Sequence, residues 1–262
     1  MEEFLMSLLQ VNKINLNVEI QGNGDPLILI HGISMDNTQW KYEIARLNQY
    51  CKTISLDCRG HGKSDKPDSY TLEDHVQDII SLMDILDYKV ANIYGVSMGS
   101  YIAQGVAVAQ PDRIKKLILT VPTSNGLTSS TQRLISNHAE ELTDLTDDEI
   151  IQHIAKYVAY NPKIRADLAN ILKTSLSPAQ ISAANKALTG FDYRNELHKI
   201  TAETLIISGK HDELNPPSEG KVCADLIPKA SFVEMKYSGH LPMLEEQQTY
   251  NEIIDKFLQP HI

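Results

Sequence analysis

Three residue types at three places in this chain are suited to chemistry together: a serine, an acid and a histidine, each in a turn that follows an apolar run. The serine is Ser97, in Gly95-Val96-Ser97-Met98-Gly99. The run before it, Val90 to Tyr94, is rich in β-branched and aromatic residues and reads as a buried strand. The stretch after it, Tyr101 to Gln110, is an apolar helix that Pro111 ends. Strand, tight turn and helix are the context in which G-x-S-x-G forms a nucleophile elbow. A serine on so sharp a turn is held in strained dihedrals, and bulky residues two positions to either side would clash. Glycine occupies both positions. The free N–H groups at the start of the helix point at the same place, where they favour negative charge.

Such a serine needs a base, and the base needs an orienting carboxylate. In an open parallel sheet both should follow the carboxyl ends of strands. Of the nine histidines, His75, His138, His153 and His198 fall in predicted helices, and His261 is terminal. His31 and His61 sit in turns suited to local hydrogen bonding. His240, in Tyr237-Ser238-Gly239-His240-Leu241-Pro242, directly follows the last predicted strand and is the candidate base. Asp212 ends Ser208-Gly209-Lys210-His211-Asp212, just past the strand Thr204 to Ile207. The other place for an acid, after Leu119, offers Thr120, Val121, Pro122 and Thr123, none acidic. A turn aspartate capping the next helix is the bland alternative for Asp212. An oxyanion hole would take one donor from the Met98 N–H and a second from the loop after Leu27 to Ile30, at the Ile33 N–H. Ser34 would add a hydroxyl there, or be an ordinary turn serine.

The elements that must position these residues alternate. A hairpin spans Leu8 to Gln21, turning at Asn12-Lys13, and Gly22 to Pro26 is a turn cluster. The apolar run Leu27 to Ile30 suits a central parallel strand. A helix over Thr38 to Tyr50, a strand over Lys52 to Leu56 and an amphipathic helix over Thr71 to Leu86 precede the elbow. Another apolar strand, Ile114 to Leu119, follows it. Strands alternating with helices predict a parallel sheet with right-handed crossovers. From Pro122 to about Gly190 the rhythm breaks into helix signals alone. Thr146-x-x-Glu149 and Ser177-Pro178-Ala179-Gln180 read as capping boxes, and Gly190 as a helix stop. The alternation resumes with Thr204 to Ile207, a helix over Pro217 to Leu226, a strand over Ser231 to Met235 and a last helix over Leu244 to Leu258.

Composition excludes several functions. The chain has 262 residues, 42% hydrophobic and 22% charged, ordinary for a globular protein with a large core. A formal charge of −10 argues against nucleic acid or an anionic membrane as partner. No run of about 18 apolar residues is present, so no membrane span is expected. The first ten residues, with Glu2 and Glu3 and no basic region, do not read as a secretory signal. Cys51 and Cys58 would lie roughly 23 Å apart along one extended segment, too far to bridge. No C-x-x-C, H-E-x-x-H, G-x-G-x-x-G or P-loop spacing occurs, so neither metal nor cofactor is expected. Reduced thiols and a cytoplasmic location are the simplest expectation.

His31-Gly32, Asp57-x-Arg59-Gly60-His61-Gly62-x-Ser64, Gly95-x-Ser97-x-Gly99, Gly209-x-x-Asp212 and Gly239-His240 together resemble the α/β-hydrolase superfamily. The likeness runs from Leu27 to the C-terminus except the helical stretch. The order Ser97, Asp212, His240 is the order that family uses. Within it, the chain is similar to small capped esterases and lactonases, such as the 3-oxoadipate enol-lactonases, and to carbon–carbon bond hydrolases. The resemblance implies an α/β class with a mostly parallel, doubly wound sheet. It also implies a hydrolase core over residues 1–121 and 191–262 with a helical cap inserted at 122–190. The implied activity is cleavage of a small-molecule carboxylic ester or lactone through a Ser-His-Asp triad and an acyl-enzyme. A cofactor-free carbon–carbon hydrolase or lyase, a perhydrolase, and a slow-turnover sensor use the same triad and stay open. Ser97 disfavours the aspartate-nucleophile families, the epoxide hydrolases and haloalkane dehalogenases. Glu203 departs from the proline that relatives often carry before that strand. Ser34, Trp40, Met98, Pro122, Leu214 and Leu241 are expected around the substrate. Arg133, Lys156, Arg165 and Lys173 of the insertion would bind a carboxylate substrate or simply face water. The oligomeric state is not legible.

Overall fold

The computed structural model describes residues 5–171 and 174–259. An eight-stranded sheet runs through it: β1 (Leu5–Val11), β2 (Ile14–Gln21), β3 (Asp25–Ile30), β4 (Cys51–Leu56), β5 (Ala91–Val96), β6 (Ile114–Thr120), β7 (Glu203–Gly209) and β8 (Ala230–Met235). Their order is β1-β2-β4-β3-β5-β6-β7-β8, with β2 antiparallel to β1 and β4 and every other pair parallel. This is the expected mostly parallel α/β sheet. The N-terminal hairpin forms as well. Asn12 and Lys13 both adopt positive φ, 44° and 68°, as a two-residue turn matched to strand twist requires. The turn cluster before β3 is shorter than expected, because Asp25 and Pro26 already pair with Cys51 and Lys52.

The central strands are buried on both faces and divide their side chains with period two. Leu27 and Leu29 of β3 join one apolar cluster, Ile28 and Ile30 the other. From β3 the chain steps outward to β4, then returns to place β5 on the opposite side of β3. The carboxyl ends of β3 and β5 therefore flank the point where strand order reverses, where such sheets open a crevice.

Three helices precede the break in rhythm: α1 (Lys41–Leu47), α2 (Leu72–Ile85) and α3 (Met98–Ala109). The expected helix over 38–50 is split. Asp36 caps a single tight turn, Asn37–Trp40, before α1 begins. Between β6 and β7 lie α4 (Ser130–Asn137), α5 (Ala139–Leu142), α6 (Asp147–Val158), α7 (Pro162–Ile171) and α8 (Pro178–Ala187). Both capping boxes form there, and Gly190 turns the chain at φ 84°. After them come α9 (Pro217–Leu226), α10 (Pro242–Glu245) and α11 (Gln247–Leu258). The expected last helix is broken at Glu246, whose carboxylate turns back to bond Tyr237 and Ser238 instead of continuing the helix. Helices α1 and α11 cover one face of the sheet; α2, α3 and α9 cover the other.

Candidate functional site

The strand β5 delivers Ser97 at φ 52°, ψ −117°, a conformation costing about 1–3 kcal/mol for a non-glycine residue. The packing around it explains both flanking glycines. A Cβ on Gly95 would stand 2.1 Å from the Gly99 carbonyl oxygen, and one on Gly99 would stand 2.0 Å from that of Ile30. Only without those side chains can α3 start so close to β3 and β5. The turn is closed by the Ser100 N–H and hydroxyl, which donate to the Ser97 carbonyl at 2.8 and 2.6 Å.

Three loops bring the distant residues together. The Ser97 hydroxyl meets His240 Nε2 at 3.1 Å, and His240 Nδ1 meets Asp212 Oδ2 at 2.7 Å. Asp212, in the loop after β7, is 2% exposed. Its other oxygen, Oδ1, accepts from the backbone N–H groups of Leu214 and Asn215, each at 2.9 Å. Those two amides fix the carboxylate plane and leave Oδ2 for the imidazole. The Nδ1–H tautomer of His240 follows, with Nε2 as acceptor toward Ser97.

The His240 loop is itself held from two sides. Glu245 accepts from the Gly239 N–H at 2.6 Å, and Glu246 accepts from the Tyr237 N–H at 2.8 Å. From the helical insertion, the last carbonyls of α6 reach both loops. His240 N–H donates to Val158 O at 2.6 Å and Glu213 N–H to Tyr157 O at 2.9 Å. The sequence carried no sign of this contact, since backbone carbonyls at a helix end have no residue signature.

Among the described residues, neither the Ile33 nor the Met98 N–H has a protein acceptor. Gly32 lies against Ser97, a Cβ built on it coming 3.8 Å from the Ser97 Cβ. Ile33, the next residue, lines the same cavity as Ser97. The loop that carries Ile33 is stiffened by Gln39, which accepts from the Gly32 N–H at 3.1 Å, and by His31, whose Nδ1–H donates to Gly32 O at 2.7 Å.

The two turn histidines are structural. His31 Nε2 accepts from the Cys58 N–H at 2.9 Å, and burial pushes its pKa down to about 4. His61 donates from Nδ1 to the Arg59 carbonyl at 2.9 Å, and burial with the neighbouring His31 pushes it down to about 3. His75 is buried against them and lies well below the ordinary value for the same reason. Asp57 is equally committed, accepting from the N–H groups of Asn37 and Lys63 at 2.7 Å each. The sign of the pH effect follows. Below about pH 6.5 the unfolded chain protonates these imidazoles while the native state cannot, so the unfolded state binds more protons and stability falls as pH falls. His31 alone, moving from 6.5 to about 4, represents about 3 kcal/mol. Urea midpoints should drop steadily between pH 6.5 and 4; a flat profile would contradict the buried, neutral assignment.

Beside Ser97 opens a cavity of about 50 Å³. Its core-side wall is Ile33, Tyr101, Phe191 and Leu214; Ser129, Ser130, Asn185 and Leu188 of the insertion face them. Of the residues expected around substrate, Leu214 lines this space. Trp40 does not: it packs edge-on against Tyr94, 4.8 Å between ring centres, in the core under the sheet. The Met98 side chain is likewise in the core, so only its amide faces the site. Pro122 is buried while its neighbour Thr123 reaches the wall. Leu241 packs between the sheet core and the insertion, and Ser34 stays in its turn at φ 64°. The insertion's basic residues are engaged elsewhere: Arg133 with Leu214 O, Lys156 with Glu141, Arg165 with Ala159 O and Tyr160 O. Lys173 lies outside the described residues. Tyr101, Thr123, Ser130 and Asn215 escaped the sequence reading. Tyr101 alone had a signal, standing in the first turn of the helix that Ser97 begins.

Among the described residues no group of three or more His, Cys, Asp or Glu side chains is placed to hold a metal, and no helix is long and apolar enough to cross a membrane.

The family described as alpha/beta hydrolase fold matches residues 25–247, and the chain belongs to it. A 3-oxoadipate enol-lactonase of Acinetobacter baylyi is 26% identical over 93% of this chain and 93% of its own length. Among solved structures, an esterase from Exiguobacterium antarcticum superposes with a TM-score of 0.80 at 25% identity, covering 98% of this chain and 99% of that one. The enol-lactonase from Burkholderia xenovorans LB400 shares the fold with a TM-score of 0.81 at 24% identity, covering 97% and 99%. Hydrolytic chemistry is the activity these likenesses support.

Proposed function

We propose that the chain hydrolyses a small carboxylic ester or lactone through an acyl-enzyme on Ser97. One observation carries the reading: the relay from Ser97 Oγ through His240 to Asp212, at 3.1 and 2.7 Å, on a strained elbow that opens into a cavity. In the proposed cycle Ser97 Oγ attacks the substrate carbonyl carbon while its proton passes to His240 Nε2. The carbonyl π electrons move to oxygen, where the Ile33 and Met98 amides stabilise them; one such donor is typically worth about 3–4 kcal/mol. Collapse breaks the carbon–oxygen bond to the leaving group, which takes the proton from His240. Water then adds to the acyl group, giving its proton to His240, and a second collapse returns Ser97. The lactonase and esterase among the relatives support this class of substrate.

The test is a screen of esters and lactones with stopped-flow mixing, beside labelling by a fluorophosphonate. Multiple turnovers on at least one small ester or lactone, with wild-type labelling at Ser97, are expected. One equivalent of product followed by a flat line for every substrate would favour a sensor that is acylated and not released.

A further inference from the structure

Tyr101 stands in the first turn of α3, four residues after Ser97, and the two side chains line the same cavity. Asn215 determines what the tyrosine hydroxyl can do there. The amide nitrogen Nδ2 of Asn215 donates to Val121 O at 2.7 Å, and a carbonyl can only accept. The atom facing Tyr101 Oη at 2.6 Å is this same nitrogen, so the phenol oxygen accepts from it. The Asn215 oxygen is satisfied from the insertion, by the Ser130 hydroxyl at 2.6 Å. The phenolic proton therefore points away from Asn215, toward the side of the cavity where Ser97 and Ser130 stand.

Two of the other wall hydroxyls are committed elsewhere. The single Thr123 proton lies between two acceptors, Asn125 O and Glu219 Oε2, and Ser130 donates to Asn215. Tyr101 is buried, and its hydroxyl lies within the influence of Ser97 and Ser130. Before reaction Ser97 Oγ is a fair acceptor for that proton. As Oγ bonds to the carbonyl carbon in acylation, the step that kcat/KM reports, it loses that basicity. An acceptor oxygen on the acyl chain would then take its place beside the donor. Among the described residues no charged side chain lines the cavity, so a carboxylate there would be desolvated with no cation from them to meet it. The volume of about 50 Å³ holds roughly three or four water-sized groups.

The geometry points to Tyr101, oriented by Asn215, as a specificity-determining residue that selects a short, uncharged acyl group carrying an acceptor oxygen close to its carbonyl. This rests on the serine-hydrolase reading and names the acyl half of its substrate. A hydrogen-bonding site discriminates against an analogue that leaves its donor unpaired far more strongly than an apolar site discriminates by size.

The test compares aryl esters of methoxyacetic and butyric acids, which differ by an ether oxygen in place of a methylene. Their intrinsic reactivities differ, so the quantity read is the ratio of the two kcat/KM values in wild type divided by the same ratio in a variant. For Tyr101→Phe the methoxyacetyl preference should fall on the order of fivefold, the worth of one net hydrogen bond. Asn215→Asp keeps the ring but offers a carboxylate to the phenolic proton, and the same loss is expected. The monoanionic succinyl ester should be the poorest of the three substrates in wild type. A ratio unchanged in both variants, or both esters falling equally, overturns the proposal and makes Tyr101 a support for Ser97. Succinyl as the best substrate overturns it too. Failure of the hydrolase reading looks different: wild type neither takes the fluorophosphonate nor turns over any ester, and the proposal falls with it.

Discussion

Replacing Ser97 by alanine should remove hydrolysis by a factor on the order of 10⁶, as loss of the nucleophile does in another serine hydrolase, and leave the melting temperature within a few degrees of wild type. The two halves of this expectation have separate physical grounds. The hydroxyl bonds to His240 Nε2, and it faces the cavity instead of the core. Alanine keeps the Cβ, so the strain at φ 52° and the close approach of Gly95 to Gly99 are unchanged. What disappears is the atom that bonds to substrate. Kinetics on the best ester of the screen and calorimetry of both proteins check it together. Retained turnover would exclude Ser97 as nucleophile, whereas a large drop in melting temperature would make it a structural residue.

The legible part of this fold was legible for reasons visible in single elements. Leu27 to Ile30 reads as a central strand because β3 is covered on both faces and has no polar side to show. The hairpin is legible because Leu9 to Val11 and Leu16 to Ile20 alternate with period two on either side of Asn12-Lys13. The misreadings concern long-range partners. Nothing local ends the last helix at Glu246. Its carboxylate is drawn out of the helix by the Tyr237 N–H and the Ser238 hydroxyl, which the sheet places beside it. Trp40 failed in the same way. A lone tryptophan after a loop is read with equal ease as pocket or core, and only the position of Tyr94 decides for the core.

In the site, the residues tied to short motifs were the readable ones. Ser97, Asp212 and His240 each follow a strand end, where open sheets gather their functional loops. The cavity wall was not readable, because half of it comes from α4, α8 and their flanking turns, whose placement depends on how the insertion packs. Asn215 shows the difference. Its sequence context, Leu214-Asn215-Pro216, says only turn. In the structure its N–H holds Asp212, its amide nitrogen orients Tyr101, and its oxygen takes a hydrogen bond from the insertion.

Asp212→Asn should lower kcat on the order of 10⁴, the factor measured for the equivalent change in another serine hydrolase, without unfolding the chain. The mechanism can be derived from the two amides on Oδ1. The N–H groups of Leu214 and Asn215 donate to that atom at 2.9 Å, so an asparagine must present its own oxygen to them. Its NH₂ group is then turned toward His240 Nδ1, which faces Asp212 Oδ2 at 2.7 Å in the native chain. An amide donor there requires Nδ1 to accept, which moves the imidazole proton to Nε2. That nitrogen can no longer take the proton of Ser97, 3.1 Å away, although every heavy atom stays in place. The variant should therefore keep its melting temperature and its affinity for substrate while losing the rate of acylation. Single-turnover kinetics separates the two quantities. If acylation stayed fast in Asp212→Asn, the imidazole would not depend on this carboxylate for its tautomer, and the relay would need a different acid.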